Sequence, residues 1–462
     1  MKYNYFNFKR FEDSFLLTND AGKYIFMSPF EMSRLLNNQI TENENCYKAL
    51  RDRFFIFDEP IETFATQMSN DIRGNKSYLF SGPSLHIFVL TNECNMNCIY
   101  CQAQDKSRNK KGKMTREIAQ KAVELALSSP NKYLTFEFQG GEPLLNFDIL
   151  RYIVLYTEQR KSERHIRYTI ASNLTLLSDN MLTFLKEHEI SVSTSLDGDS
   201  VLHNYNRKKS DGGKSFEIVY KNICRIRDAG IDISAIQTTT QYSLPRWKEM
   251  VDAYIQLGFN NIFIRPLTPL GMAHSEWERI GYSAKDFITF YANAFEYILQ
   301  KNIEGYHLSE GHASIFLRKI LQGYSYNYME LRSPCGASVG QIAYYYDGEI
   351  YTCDEGRMLA EMGDKSFCLG SVNSYYGEMM DSPVCKAVCS ASTLESAPTC
   401  SSCVYQPYCG TCPVINYALY GDVISKYPNS FRCQIFGGIL NILFSKLKQN
   451  ESSTIDVLNG WL

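Results

Sequence analysis

Between residues 83 and 300, six short apolar or β-branched runs alternate with amphipathic stretches, and this alternation limits the fold more than any other feature of the chain. The runs are 85–91, 133–138, 166–171, 190–196, 231–238 and 261–265, each followed by a polar or glycine-bearing break. The stretches between them have helical spacing. In "MTREIAQKAVELALSS", Ile118, Ala122, Leu125 and Ala126 share one face and Thr115 caps the start. Further helices are expected at 147–160, 178–188 with Ser178 as cap, 215–229, and 245–257 opening on Pro245. Strands separated by helices call for a parallel sheet with right-handed crossovers, so the fold class is α/β. Periodicity alone does not separate a barrel from a doubly wound sheet. In parallel barrels chemistry sits at the C-terminal ends of the strands. Here the first run ends at a cysteine loop, the second in "QGGEP" (139–143), the third in "ASNLT" (171–175) and the fourth in "SLDG" (195–198). Four successive strands deliver polar or ligating residues to one rim, which packing does not require.

At 462 residues the chain exceeds what one hydrophobic core supports, so two or three domains are expected. A net charge of -3 offers no basic field for a nucleic acid. The N-terminus "MKYNYFNFKRF" has no apolar signal-peptide region, and the apolar run "IFGGILNILF" is too short to span a bilayer. The expectation is a cytoplasmic protein with no membrane partner. Fifteen cysteines in that compartment do not form a disulfide framework. Three lie at 94, 98 and 101 and ten lie beyond residue 334, a clustering that indicates metal. Cys46 and Cys224 read as small buried hydrophobes.

Cys94, Cys98 and Cys101 supply three ligands with no further cysteine or histidine close by in sequence. Structural zinc takes four protein ligands, so zinc would need a distant fourth. An iron-sulfur cluster is held by thiolates, and a four-iron cluster with three cysteines keeps one iron open. The CxxxCxxC spacing, Tyr100 before the last cysteine, the downstream "GGEP" and the six-unit β/α core resemble the radical S-adenosylmethionine (SAM) superfamily. The resemblance implies a partial (β/α)6 barrel and a four-iron four-sulfur (4Fe-4S) cluster on Cys94, Cys98 and Cys101 whose open iron chelates SAM. It also implies reductive cleavage of SAM to a 5'-deoxyadenosyl radical that abstracts a substrate hydrogen. SAM-facing residues carried over by position are Tyr100, Gly140, Gly141, Glu142 as the contact to the methionine amino group, Ser172, Asn173, Asp197 and Arg207. Arg207 and Arg265 are candidates for the SAM carboxylate or the substrate. As plain structure, the same polar residues would close strand-end turns.

The late cysteines are ordered as Cys335, Gly348, Cys353, then "CSSCVYQPYCGTC" with Cys400, Cys403, Cys409 and Cys412, and finally Cys433. Two CxxC pairs could form a zinc ribbon, but that leaves Cys335, Cys353 and Cys433 without a role. The order resembles the SPASM domain, the auxiliary-cluster module of radical SAM enzymes that modify peptides and proteins. It implies two auxiliary 4Fe-4S clusters, one on Cys335, Cys353 and Cys412 and the other on Cys400, Cys403, Cys409 and Cys433. Two departures from the family pattern stand out: only Gly410 and Thr411 separate the last two cysteines of the central run, and no cysteine lies between Cys335 and Cys353. Either one iron of the first auxiliary cluster is open, or Cys368, Cys385 or Cys389 completes it.

Residues 1–80 read as a small α+β module. "LLTNDAGKYIFMS" is a hairpin turning at Asn19 to Gly22, and "SPFEMSRLL" is a helix with Ser28 as cap, Pro29 in its first turn and Glu31 completing a capping box. The module is similar to those with which peptide maturases grip a leader peptide; the alternative is a plain N-terminal extension packed against the barrel. The expected organisation is therefore 1–80 as this module, 83–300 as the barrel, 301–334 as bridging helices, 335–440 as the SPASM domain and 441–462 as a tail. Through "LTNDAGKYIF", "CIYCQAQ", "YTCDEGRML" and "YCGTCPV", the chain resembles the His-Xaa-Ser system radical SAM maturases. That resemblance implies a precursor peptide as substrate, oxidative modification such as a cross-link, a reductant such as flavodoxin or ferredoxin, and a partner radical SAM maturase. The alternatives are a formylglycine-generating, sulfatase-maturing activity and a non-catalytic iron-sulfur scaffold or redox sensor.

Overall fold

The computed structural model describes residues 1–104, 111–323, 331–424 and 430–462. Three strands form a small N-terminal antiparallel sheet: β1 (Asn7–Phe11), β2 (Ser14–Thr18) and β3 (Tyr24–Met27). Asn19 to Gly22 closes the turn with a Gly22 N–H to Asn19 carbonyl bond of 2.9 Å. Ser28 and Glu31 form the capping box of the following helix, Pro29–Leu36.

The main sheet contains the six expected strands as neighbours: β4 (Leu85–Val89), β5 (Tyr133–Gln139), β6 (His165–Ser172), β7 (Ser191–Ser195), β8 (Ile233–Thr238) and β9 (Asn261–Arg265). Four more extend it: β10 (Ser309–Glu310), β11 (Gln341–Tyr344), β12 (Glu349–Tyr351) and β13 (Cys368–Ser371). The order is β10-β9-β8-β7-β6-β5-β4-β11-β12-β13. Every pairing from β10 to β11 is parallel, and β11-β12-β13 is an antiparallel meander. The order has two ends, so the sheet is an open, partial barrel.

Strand parity sets what faces inward. In β5, Leu134, Phe136 and Phe138 are buried on one face, while Glu137 and Gln139 turn to the other and line the interior. The helix Arg116–Leu127 is capped by Thr115 and buries Ala119, Ala122, Val123 and Leu125 to Leu127. Ile118 is only half-buried, so the apolar stripe lies one residue round from the expected face. Pro245 falls inside a 3-10 turn, Gln241–Arg246, and the helix it was expected to open starts at Trp247. Cys46 and Cys224 are half-buried, not core.

The N-terminal sheet packs on the C-terminal region. Tyr24 and Phe26 meet Phe444 of the helix Phe431–Gln449 with ring centroids 5.3 and 6.3 Å apart. Asn7 donates to the carbonyls of Ser401 and Cys403, Thr18 to that of Val404, and Tyr408 to that of Gly22. Among the described residues no helix is long and apolar enough to cross a membrane.

Candidate functional site

The loop after β4 turns back on itself so that Met96–Cys98 pairs with Arg207–Lys209, with Cys98 opposite Arg207. The glycine pair after β5 seats this loop. Gly141 N–H donates to the Thr91 carbonyl and Glu142 N–H to the Glu93 carbonyl, each at 2.8 Å. A Cβ on Gly140 would stand 2.5 Å from the Thr91 carbonyl oxygen, and one on Gly141 2.3 Å from that of Glu93. No side chain fits there, and the backbone contact is what glycine permits.

Behind the loop lies a buried polar chain. The Tyr100 hydroxyl donates to the Asp197 carboxylate at 2.8 Å, and Arg207 Nη1 donates to the same hydroxyl at 2.7 Å. Thr238 N–H donates to Asp197 at 3.3 Å. Burial pushes the Asp197 carboxyl up, with Arg207 opposing. Burial also works against the charge on Arg207, but Cys98, Tyr100 and Asp197 outweigh it and leave the guanidinium more basic than usual.

Glu142 is fully buried. One oxygen accepts from Ser172 Oγ at 2.7 Å and from Leu144 N–H at 3.1 Å, and the other from Asn173 N–H at 2.8 Å. These bonds tie Ser172 and Asn173 at the end of β6 to the turn after β5. Asn173 Nδ2 in turn donates to Asn95 Oδ1 at 3.0 Å and lies 3.9 Å from Cys94 Sγ.

One cavity of about 530 Å³ opens at the C-terminal ends of the strands. Of the residues singled out in the barrel, Cys94, Cys98, Cys101, Tyr100, Gly140, Gly141, Ser172, Asn173, Arg207 and Arg265 line it, and Glu142 and Asp197 stand behind it. Burial raises all three thiols, Cys94 to about 12, where the Glu142 charge adds, and Cys101 to about 11.

Glu137, Gln139, Asp354 and Arg357 also line the cavity and are not among the site residues expected from sequence. They form a chain in which Arg357 Nε donates to Asp354 Oδ1 at 2.7 Å, Arg357 Nη2 to Gln139 Oε1 at 3.0 Å, and Gln139 Nε2 to Glu137 Oε1. Arg357 is 2% exposed, and among the described residues its Nη1 has no hydrogen-bond partner. Burial raises the Glu137 carboxyl. The alternation of β5 marks Glu137 and Gln139 as inward-facing, and that signal was available in the sequence.

The late cysteines gather into two sets. Cys335, Cys353 and Cys412 share one buried cluster with Leu270, Met358 and Phe367. Burial raises the thiols of Cys353 and Cys412, and the three act on one another electrostatically. Cys353 Sγ caps the helix Asp354–Glu361 through Gly356 N–H. Cys400, Cys403, Cys409 and Cys433 form the other set, with Cys400 and Cys409 raised to about 12 by burial and then by the neighbouring thiols. Cys368 is half-buried on β13 and bonds the Gly370 carbonyl, while Cys385 and Cys389 bond each other.

These donor sets fit iron-sulfur clusters. Each offers only cysteine sulfurs, buried or half-buried, and each needs positive charge from iron to hold them deprotonated. Among the described residues no three His, Cys, Asp or Glu converge closely enough for a single metal ion; a cluster spreads its thiolates over several irons and asks for a looser ring.

Comparison with known proteins follows the same lines. Residues 88–243 match the Radical SAM superfamily. The chain is 31% identical over 188 residues to an uncharacterized protein of Methanocaldococcus jannaschii, which covers 41% of this chain and 64% of that one. It thus spans just under two thirds of this relative. It is 26% identical over 283 residues to a cysteine-type anaerobic sulfatase-maturating enzyme of Clostridium perfringens, over 59% of this chain and 74% of the relative. In fold it is similar to Streptococcus suis SuiB in a crystal structure bound to precursor peptide SuiA. The TM-score is 0.57 at 15% identity, over 93% of this chain and 99% of that chain.

Proposed function

Because residues 88–243 are a radical SAM domain, we propose that the chain is an enzyme that removes a hydrogen atom from a ribosomally made peptide and closes an oxidative cross-link in it. The observation that carries this reading is the single cavity in which the thiols of Cys94, Cys98 and Cys101 meet the buried cations Arg207 and Arg357 and the carboxyls of Glu137 and Asp354. Cys94, Cys98 and Cys101 would hold a 4Fe-4S cluster, with SAM beside it. When bound, the two supply a carbon-centred radical able to take a hydrogen atom from a substrate.

The chain's own residues do the rest. Arg207, kept charged by Asp197 through Tyr100, offers a cation to a carboxylate in the cavity. Ser172 and Asn173, fixed by Glu142, present polar groups on the same wall. The close-packed glycine turn fixes the cysteine loop against β5. Glu137, with its carboxyl raised by burial, can hold or release a proton at Oε1 and Oε2, and Asp354 accepts from Arg357 Nε. Cross-link closure removes two hydrogens from the peptide: one leaves as an atom, the other as a proton with an electron that needs an acceptor. The cysteine sets at 335/353/412 and 400/403/409/433 would hold auxiliary clusters suited to that electron. Cys368 bonds the Gly370 carbonyl and lies on β13, whereas Cys389 stands within electrostatic reach of Cys335, so either an open iron or Cys389 would complete the first of them. Reduction calls for a donor such as flavodoxin or ferredoxin.

The likeness to a sulfatase-maturating enzyme over 74% of its length supports a second reading, oxidation of a Ser or Cys to formylglycine. One experiment separates the two. Anaerobically reconstituted protein is given SAM, a reductant and either a leader-bearing peptide or a short Ser- or Cys-containing peptide, and 5'-deoxyadenosine and peptide mass are followed. The triple Cys94→Ala, Cys98→Ala, Cys101→Ala variant should form no 5'-deoxyadenosine. A product that has lost two hydrogens and does not react with a hydrazide indicates a cross-link. A hydrazide-reactive aldehyde indicates formylglycine, and 5'-deoxyadenosine that persists in the triple variant would sink both readings.

A further inference from the structure

Two lysines reach the four-cysteine set from outside the cysteine-rich segment. Lys319 lies on the π-helical turn Arg318–Gln322 and is 5% exposed. Its ammonium donates at 2.8 Å to the carbonyl of Tyr408, the residue before Cys409, and also to the carbonyl of Leu331. Lys9 extends from β1 over the ring of Tyr405, 4.6 Å from its centroid. It donates to the Tyr405 hydroxyl and to Asn441 Oδ1, each at 2.8 Å. Asn7, two residues back on the same strand, donates to the Cys403 carbonyl at 3.2 Å and so pins this end of β1 to the cysteine loop.

Among the described residues, the acceptors that both ammonium groups bond are neutral oxygens. Glu395, a carboxylate that acts on Lys319 at longer range, is ion-paired with Lys76. Lys319 bonds the residue before Cys409, and Lys9 bonds Tyr405 two residues after Cys403, so each ammonium stands within electrostatic reach of one of these thiols. A buried or half-buried ammonium among neutral acceptors is costly unless negative charge stands nearby. Four thiolates around a four-iron core leave a net negative charge, which grows by one on reduction. Burial makes both lysines less basic, Lys319 to about 7, so the cluster's negative charge is what favours their protonated forms; a cation on each side then stabilises the reduced cluster more than the oxidised one.

We infer that Lys9 and Lys319 are the counter-charges of the cluster held by Cys400, Cys403, Cys409 and Cys433, and that they raise its reduction potential so that it accepts the substrate's electron. This rests on the reading that these four cysteines hold a cluster. Both lysines act as positioning residues for charge and touch no substrate. One of them comes from the N-terminal sheet, which gives that module a redox role independent of any peptide it binds.

The test is an electron paramagnetic resonance redox titration of the full-length, anaerobically reconstituted protein. The signal of this cluster is identified as the one lost, together with its iron, in Cys400→Ala/Cys403→Ala. Lys9→Met and Lys319→Met should each move its midpoint to lower potential, Lys9→Arg should restore it, and exposed Lys48→Met should leave it in place. A signal with an unchanged midpoint in Lys9→Met and Lys319→Met overturns the counter-charge role while leaving the cluster intact. Should Lys319→Met not fold, the Lys9→Met and Lys9→Arg pair decides. If Cys400→Ala/Cys403→Ala loses neither iron nor signal, the cluster reading and the counter-charge role fall together.

Discussion

At the scale of single residues, two positions carry sharp expectations. Gly141 has no space for a Cβ, since the nearest atom is a backbone carbonyl that cannot step aside. Gly141→Ala should displace the cysteine loop at a cost of about 1–3 kcal/mol. Iron retained on Cys94, Cys98 and Cys101 should fall with it, read by iron analysis in a variant lacking the late cysteines; full retention would show that the loop is seated by other contacts. Arg357 joins the helix Asp354–Glu361 to β5 and, among the described residues, keeps one buried donor without a partner. Arg357→Met should weaken peptide use about tenfold in kcat/KM, roughly 1.4 kcal/mol. An unchanged kcat/KM would show that the donor faces no substrate. Glu142 illustrates what residue-level reading misses. Its place in the sequence suggests a ligand contact; the folded arrangement adds the bonds it accepts from Ser172, Leu144 and Asn173, which tie the ends of β5 and β6 together.

At the scale of elements, β10 and the helix Gly311–Leu317 bring a buried carboxyl to the sheet edge. Glu310 accepts from Ala313 N–H at 2.8 Å and from Tyr291, and burial raises its pKa to about 7 despite those bonds. In the unfolded chain the same carboxyl titrates near pH ~4.3. The folded state therefore keeps a proton that the unfolded state releases. The resulting stability is full below about pH 4 and is lost as pH rises towards about 7. Relative to Glu310→Gln, the native chain should lose up to about 3 kcal/mol of stability across that window, measured by urea unfolding at several pH values. Parallel curves for the two proteins would refute the assignment. Elements were legible where a period ran long enough. The six barrel strands and the capped helices at Thr115, Ser178 and Ser28 follow from alternation and cap chemistry. The strands β10 and β12 are too short to show a period, and β11, "QIAY", is buried throughout and shows no alternation. The partners of the late cysteines depend on loops whose course no local pattern fixes.

At the scale of the whole molecule, the clusters proposed for the three cysteine sets would bind the folded chain alone. Their removal by a chelator under reducing conditions should lower the melting temperature by several degrees. A melting temperature indifferent to iron would argue that the sets are inert thiols. The N-terminal sheet is bonded to the Cys400 to Cys409 loop through Asn7, Thr18 and Gly22, so deleting it would expose that loop as well as remove any peptide-docking edge. Substitutions on the solvent side of the sheet are the cleaner probe of docking. The ladder between β4 and β11, Leu85 opposite Gln341 through Phe88 opposite Tyr344, joins the radical SAM region to the cysteine-rich region by backbone hydrogen bonds. The two should melt in one transition, seen as coincident near- and far-ultraviolet circular dichroism curves. That same ladder limits how such a chain can be recombined. A hybrid cut near residue 334 would leave β4 with a bare edge on its β11 side, prone to pair with another molecule, unless the incoming half supplied a strand of matching register. The two halves are modules by sequence but not interchangeable parts by structure.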